Sequence, residues 1–225
     1  MYGPAVRVIV WSCFIFYLFQ HIYFPLTNDL FGLAYIGNDN FQVGQFLTHG
    51  FLHGTAFHIC VNMLMLILFG GRLELTFGPR IFLVFFFLCV VGGGIFQTMG
   101  FMYYISTLCG TPFPEFATNN PIDQLNFMIT YGEQAVSSFN RITIGASGGV
   151  YGCLVAFAYL FSYEKIDLLF TKIDLRFLIY AYLGHGFYLT FSNPFGEIAH
   201  FAHIGGALVG LLFAVWWNCM FTKKT

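Results

Sequence analysis

Residues 198–221 read IAHFAHIGGALVGLLFAVWWNCMF, 24 positions without one Asp, Glu, Lys or Arg, and Lys223-Lys224 comes one residue after it. As an α-helix rising about 1.5 Å per residue, this run is long enough to cross the roughly 30 Å hydrocarbon core of a bilayer. Its polar side chains gather at its start, where His200 and His203 precede Gly206 and Gly210. The rest of the chain extends the reading. Of its 225 residues 58% are hydrophobic and 8% charged, and the mean hydropathy is +0.73. A soluble domain carries about a quarter of its residues as charges, so too little polar surface is left here to face water on every side.

Five further apolar runs, 5–24, 57–77, 80–104, 142–163 and 175–191, have the length of membrane spans. The expected fold is therefore all-α, a polytopic bundle of six transmembrane helices forming one domain over residues 1–225. The first run has a single cationic flank, Arg7, and no small-x-small cleavage site after it, so it reads as a retained span rather than a signal peptide. Two connections are long: 25–56, rich in Gly, Asn and aromatic residues, and 105–141, which holds Pro112, Pro114 and Pro121. Of the cysteines Cys13, Cys60, Cys89, Cys109, Cys153 and Cys219, all but Cys109 fall in apolar runs and none forms a C-x-x-C pair. Buried small hydrophobes are expected, not disulfides or ligands. A net charge of −1 with no basic stripe speaks against nucleic-acid binding.

Charge orients the bundle. With both termini on the cytoplasmic side, eight of the nine Lys and Arg residues (Arg7, Arg72, Arg80, Lys165, Lys172, Arg176, Lys223 and Lys224) lie inside, and Arg141 alone lies outside. Asp29, Asp39, Glu115, Asp123, Glu133 and Glu197 join Arg141 there. Positive charge in short loops sets orientation, so the N-in, C-in arrangement follows.

Polar residues at membrane depth are costly and usually functional. Three clusters occur: Gly145-Ala146-Ser147-Gly148-Gly149-Val150-Tyr151-Gly152, Ala202-His203-Ile204-Gly205-Gly206, and His49, His53, His58 with Asn62. Under the assigned orientation all three sit at outer helix ends. Ser147 and His203 each fall five residues into their runs, about 8 Å below the outer boundary at 1.5 Å per residue. Gly148 and Gly152 on one helix, and Gly206 and Gly210 on the other, offer faces on which two helices approach closely. A serine hydroxyl becomes a nucleophile when a base within hydrogen-bond reach takes its proton, and histidine suits that task near neutral pH. No Asp or Glu lies deep in any span at the outer end, Glu197 in the loop before the sixth being the nearest, so a Ser147–His203 dyad is expected. Tyr151, four residues after Ser147, is placed to stack on the imidazole. His58 and Asn62, spaced i and i+4, leave one helix face together. With the Ser147 N–H they would supply three donors to an oxyanion. The histidines suggest a metal set, but no Cys or carboxylate accompanies them and a catalytic zinc needs three firm ligands; neither metal nor cofactor is expected.

These residues resemble the rhomboid intramembrane serine proteases: G-A-S-G with Tyr at Ser147+4, A-H-I-G-G with its G-x-x-x-G, and the spacing of His49, His53, His58 and Asn62. The resemblance covers all six runs. It implies a six-helix rhomboid-like core, a Ser-His dyad at Ser147 and His203, oxyanion stabilisation from His58, Asn62 and Ser147, and supporting positions at Tyr151, Gly145, Gly148, Gly206 and Gly210. It also implies transmembrane protein substrates cut near their outer ends, a mobile cap at 192–197 and a lateral gate in the fifth span. Two features differ: where the family often has Trp-Arg in the first loop this chain has Gly44-Gln45, and its third loop is longer than in the simplest members.

Two other classes compete. A catalytically inactive rhomboid-fold protein that binds transmembrane segments would lack the Ser or the His, and both are present. A channel or metal transporter would carry ionisable groups or broken helices near the midplane, where these runs have almost none. The short tails around a bare core suggest a bacterial inner membrane, with an organelle membrane as the alternative.

Overall fold

The computed structural model describes residues 3–23, 26–114, 121–161, 165–168, 171–174 and 200–222, with isolated positions between 177 and 188. Helix α1 spans Pro4–Ile22. Proline suits its first turn, where a backbone N–H would go unused. The N–H groups of Ala5 and Val6, which have no partner inside the helix, donate instead to the two carboxyl oxygens of Glu74, at 2.7 and 2.9 Å. The first loop carries α2 (Leu26–Phe31), α3 (Gln45–Thr48) and a tight turn at His49–Phe51. Helix α4, Ala56–Phe77, is capped by Thr55, whose hydroxyl accepts the His58 N–H at 3.0 Å, and widens by a π-type turn at Leu66–Gly70.

Helix α5, Pro79–Cys109, is bounded by Gly78 and Gly110, both at positive φ (79° and 76°), a conformation that only glycine adopts without strain. The third connection folds into α6 (Pro121–Tyr131) and α7 (Glu133–Phe139). Then come α8 (Ser147–Leu160), an antiparallel hairpin of β1 (Lys165–Leu168) and β2 (Thr171–Asp174), and α9 (His200–Trp217), which ends in a π-type turn at Asn218–Thr222. The hairpin is a small addition to an otherwise helical chain; Lys-Ile-Asp-Leu alternates polar and apolar residues with the period of a strand.

Helices α1, α4, α5 and α9 are long and apolar enough to cross a membrane. Their outward faces are apolar as well. Val8, Trp11, Ile15 and Leu18 on α1 and Leu64 and Leu68 on α4 are exposed, a surface that only lipid covers at no cost. The chain is an integral membrane protein. The expected fifth span (175–191), His185 and the cap segment at 192–197 lie wholly or largely outside the described residues.

The core forms where α8 packs between α5 and α9. Phe82, Phe85, Phe86, Cys89, Leu154 and Phe157 fill it. A second cluster of Tyr35, Phe101, Ile105, Phe127, Ala135 and Phe139 fastens α6 and α7 to the end of α5. Of the six free cysteines, Cys13, Cys89 and Cys153 are buried as expected; Cys60 and Cys219 are exposed on the bundle's outward face, which corrects the expectation for those two. A thiol is apolar enough to face lipid as readily as protein.

Candidate active site

The end of the bundle that carries the two long connections brings the polar clusters together. The fourth apolar run does not begin as helix at residue 142. Thr143 pairs with Leu33 in an isolated β-bridge, each N–H donating to the other's carbonyl at 2.8 and 2.9 Å. Gly145 follows at φ +130°, its N–H bonded to the His49 carbonyl at 2.9 Å. A side chain there would be strained, and its Cβ would stand 2.8 Å from the His58 ring. The chain therefore runs extended to Gly145 and turns into helix only at Ser147, the first residue of α8. Counting depth from residue 142 is thus replaced by a measure along α5. A Cβ on Gly93 would lie 3.3 Å from the Gly148 Cα, and Gly93 stands about 21 Å along α5 from Pro79. Helix α8 itself, at 14 residues, is only about 21 Å long. A helix this short spans less than the full roughly 30 Å core.

His203 lies in the first turn of α9, and its Nε2 stands 2.9 Å from the Ser147 Oγ. The Tyr151 ring lies flat on the imidazole, centroids 4.1 Å apart and planes 7° from parallel. For Nε2 to accept the hydroxyl proton, the ring's own proton must sit on Nδ1. That nitrogen is buried and meets no hydrogen-bond acceptor among the described residues. The two helices come this close because both faces are glycine. A Cβ on Gly206 would stand 2.8 Å from the Gly148 Cα, and one on Gly210 would stand 2.5 Å from the Gly152 Cα.

The first hydrogen bond inside α8 runs from the Val150 N–H to the Ala146 carbonyl. The N–H groups of Ser147, Gly148 and Gly149 are thus left unused by the helix at its positive end. His58, held in the first turn of α4 by the Thr55 cap, brings its ring over Gly145. Asn62, one turn on, is buried, and its Nδ2 donates back to the His58 carbonyl at 2.9 Å, which uses one of its two amide protons.

The loop histidines are structural in their contacts. The Gln45 carbonyl can only accept, so His49 donates to it from Nδ1 at 2.8 Å. The His53 N–H donates to the Gln20 side chain at 3.1 Å, while its Nε2 faces the Ala146 N–H at 3.5 Å. Burial lowers both imidazoles from their ordinary range, His49 to about 4 and His53, with the nearby His58 adding to the effect, to about 3.

Sequence reasoning missed the residue that anchors the first loop. Gln45, 1% exposed, makes four hydrogen bonds: Oε1 accepts from Ala34 N and Gln42 N, both at 3.2 Å, and Nε2 donates to the Asp29 and Asn40 carbonyls at 3.2 and 3.0 Å. It stands where the resemblance had led one to look for Trp-Arg. Two more were missed. Asn38 Nδ2 donates to the Phe139 carbonyl at 3.1 Å and joins the first loop to the third. Gln97 Oε1 accepts the Ala202 N–H at 3.1 Å and holds the start of α9 to α5. No spacing rule flags such bonds, since their partners are up to 105 residues away.

A family model for the Rhomboid domain matches residues 40–218. Among similar proteins, rhomboid protease GlpG of Haemophilus influenzae is 26% identical over 217 residues, covering 94% of this chain and 89% of that protein. Rhomboid-like protein 16, chloroplastic, of Arabidopsis thaliana is 40% identical over 55 residues, 24% of this chain. Rhomboid-like protease 3 of Toxoplasma gondii is 34% identical over 74 residues, 32% of this chain. The chain spans only 17% of the length of the plant protein and 28% of that of the Toxoplasma protein. A domain match that takes in α3 through α9, and with them His58, Asn62, Ser147, Tyr151 and His203, establishes that this chain belongs to the rhomboid family.

Proposed function

We propose that the chain is an intramembrane serine endopeptidase, one rhomboid-like unit over residues 1–225, that hydrolyses peptide bonds in or beside the transmembrane segments of other membrane proteins. The observation that carries this reading is the 2.9 Å contact between Ser147 Oγ and His203 Nε2, with the imidazole fixed by Tyr151. Ser147 attacks the scissile carbonyl while its proton passes to Nε2. The oxyanion forms at the start of α8, where the unused N–H of Ser147 and the helix dipole favour negative charge. His58 and the second amide proton of Asn62 are the further donors. His203 then protonates the departing amine, and water taken in from the outer side resolves the acyl-enzyme by the same steps. Gly145, Gly148, Gly206 and Gly210 support the chemistry by permitting the approach of backbones.

The orientation follows from charge, with both termini cytoplasmic and the site opening outward. A bacterial inner membrane suits the bare core, and the relative that matches nearly the whole chain is bacterial. The test uses purified protein in proteoliposomes. A fluorophosphonate should label the wild type and leave Ser147→Ala unlabelled, and a model transmembrane substrate should be cut only by the former. Equal labelling of both would remove Ser147 as nucleophile. Binding of substrate without any cleavage or labelling would favour a non-catalytic rhomboid that recognises spans.

A further inference from the structure

Helix α6 in the third connection buries Phe127 against Phe101 and Ile105 of α5 and Phe139 of α7. Its opposite side is also apolar. At about 100° per residue, the circuit of the helix runs from Phe127 and Tyr131 through Met128, Leu125 and Ile129. It then reaches Asn126, Thr130 and Asp123. Met128, Leu125 and Ile129 are 42, 52 and 73% exposed. Gln124 falls between Tyr131 and Met128, on the side turned to the cavity it lines with Asn38 and Asn140; apart from it only the last arc is polar. A helix with one side on protein, a second apolar side uncovered and a narrow polar edge has the pattern of one lying in a membrane interface.

The height of α6 supports that reading independently. Its packing partners Phe101 and Ile105 stand about 33 and 39 Å along α5 from Pro79. With Pro79, beside the charged Arg80, taken at the inner edge of a hydrocarbon core about 30 Å thick, in a bilayer of about 40–45 Å with headgroups, this level falls at the outer acyl–headgroup boundary. Tyr103, at the same level on α5, is 68% exposed, as aromatic side chains at a membrane interface are. The bilayer surface around α5 thus continues to the height of α6.

We infer that α6 is an interfacial anchor: Met128, Leu125 and Ile129 lie among the acyl chains of the outer leaflet, and Asn126 and Thr130 face water. The anchor is built into the connection that runs on through α7 to Thr143 and Ser147, so it ties the height of the site to the lipid surface. It does not depend on catalysis, and the same behaviour is expected of the Ser147→Ala chain.

Two measurements on the full chain in phosphatidylcholine proteoliposomes test it. A spin label carried on a genetically encoded keto amino acid is placed singly at Leu125, Ile129 and Asn126. Its collisions with oxygen, which partitions into lipid, are compared with those of a water-soluble nickel chelate. The oxygen-to-nickel ratio at Leu125 and Ile129 should exceed that at Asn126 several-fold. Nickel-dominated collisions at all three would overturn the anchor in favour of a water-covered face. Exclusion of both reagents at Leu125 and Ile129 would overturn it in favour of a protein partner or a second copy. The unsubstituted chain provides the second measurement: a diazirine near the carbonyl end of a lipid acyl chain should label the 121–131 peptide on Leu125, Met128 or Ile129. Absence of label there, with α1 labelled in the same sample, would refute the inference.

Discussion

Replacing Gly206 by alanine sets two effects of opposite sign against each other. Alanine is the better helix former by about 1 kcal/mol, so intrinsic propensity alone predicts a small gain in stability. The structure predicts a loss. The new Cβ would stand 2.8 Å from the Gly148 Cα and 2.6 Å from its carbonyl carbon, and both are backbone atoms that cannot rotate away. Ordinary carbon–carbon contact needs about 3.5–4.0 Å, so α8 and α9 must part by about 1 Å. His203 is one turn from Gly206 and Ser147 adjoins Gly148, so their 2.9 Å contact would lengthen beyond hydrogen-bond range. A misplacement of about 1 Å in a reacting pair costs about 100-fold in rate. The assay measures fluorophosphonate labelling and substrate cleavage in proteoliposomes, together with thermal unfolding in detergent. Gly206→Ala should label about 100-fold more slowly and unfold earlier. Gly44→Ala, where no atom lies within 4 Å of the added Cβ and φ is −59°, should match the wild type. A Gly206→Ala protein with unchanged labelling and unchanged or higher stability would refute the close approach of the two helices.

Gln45→Ala removes four hydrogen bonds from a buried site and should cost about 2–4 kcal/mol at roughly 1 kcal/mol each; an unchanged melting temperature would rule out an anchoring role. Glu74→Leu leaves the Ala5 and Val6 N–H groups without their acceptors and should destabilise by about 2–4 kcal/mol, with Glu74→Gln losing less because one acceptor oxygen remains; equal losses would show that capping α1 is not what Glu74 does. Acid should weaken the fold through His49 and His53. Their folded values, about 4 and about 3, lie below the unfolded value of about 6.5, so the unfolded chain binds more protons between those limits. Stability is then full above about pH 6.5 and falls toward pH 4 by roughly 1 kcal/mol per pH unit for each imidazole; unfolding curves in detergent that stay flat from pH 7.5 to 4.5 would contradict this.

The long helices were legible because hydrophobicity and length fix them with little help from elsewhere, as in residues 80–104 and 198–221. So were Ser147 and His203, which meet at one end of the bundle: polar groups flanked by glycine stand out against an apolar sequence. What the sequence hid was long-range and made by the backbone. The start of α8 depends on Gly145 at positive φ and on a bridge between Thr143 and Leu33, 110 positions apart. The helical period of the 142–163 run gives no sign of either. Gln45 looked like an ordinary polar loop residue until its four partners were in view. Glu74, an acidic residue inside an apolar run, gave a local signal whose meaning lay in α1. Asn62 showed its helix face but not that one amide proton turns back to the main chain.

The contact between Ser147 and His203 also constrains when the site comes into being. The two residues are 56 positions apart, and the His49 carbonyl that holds Gly145 was made almost a hundred residues earlier. A nascent chain that has released Ser147 into the membrane still lacks its imidazole until α9 has been inserted and its glycines have seated on α8. Until then the hydroxyl is inert. On the proposed function, the chain thus enters the membrane in a form without a base. On that reading, reactivity arises only once α9 has seated.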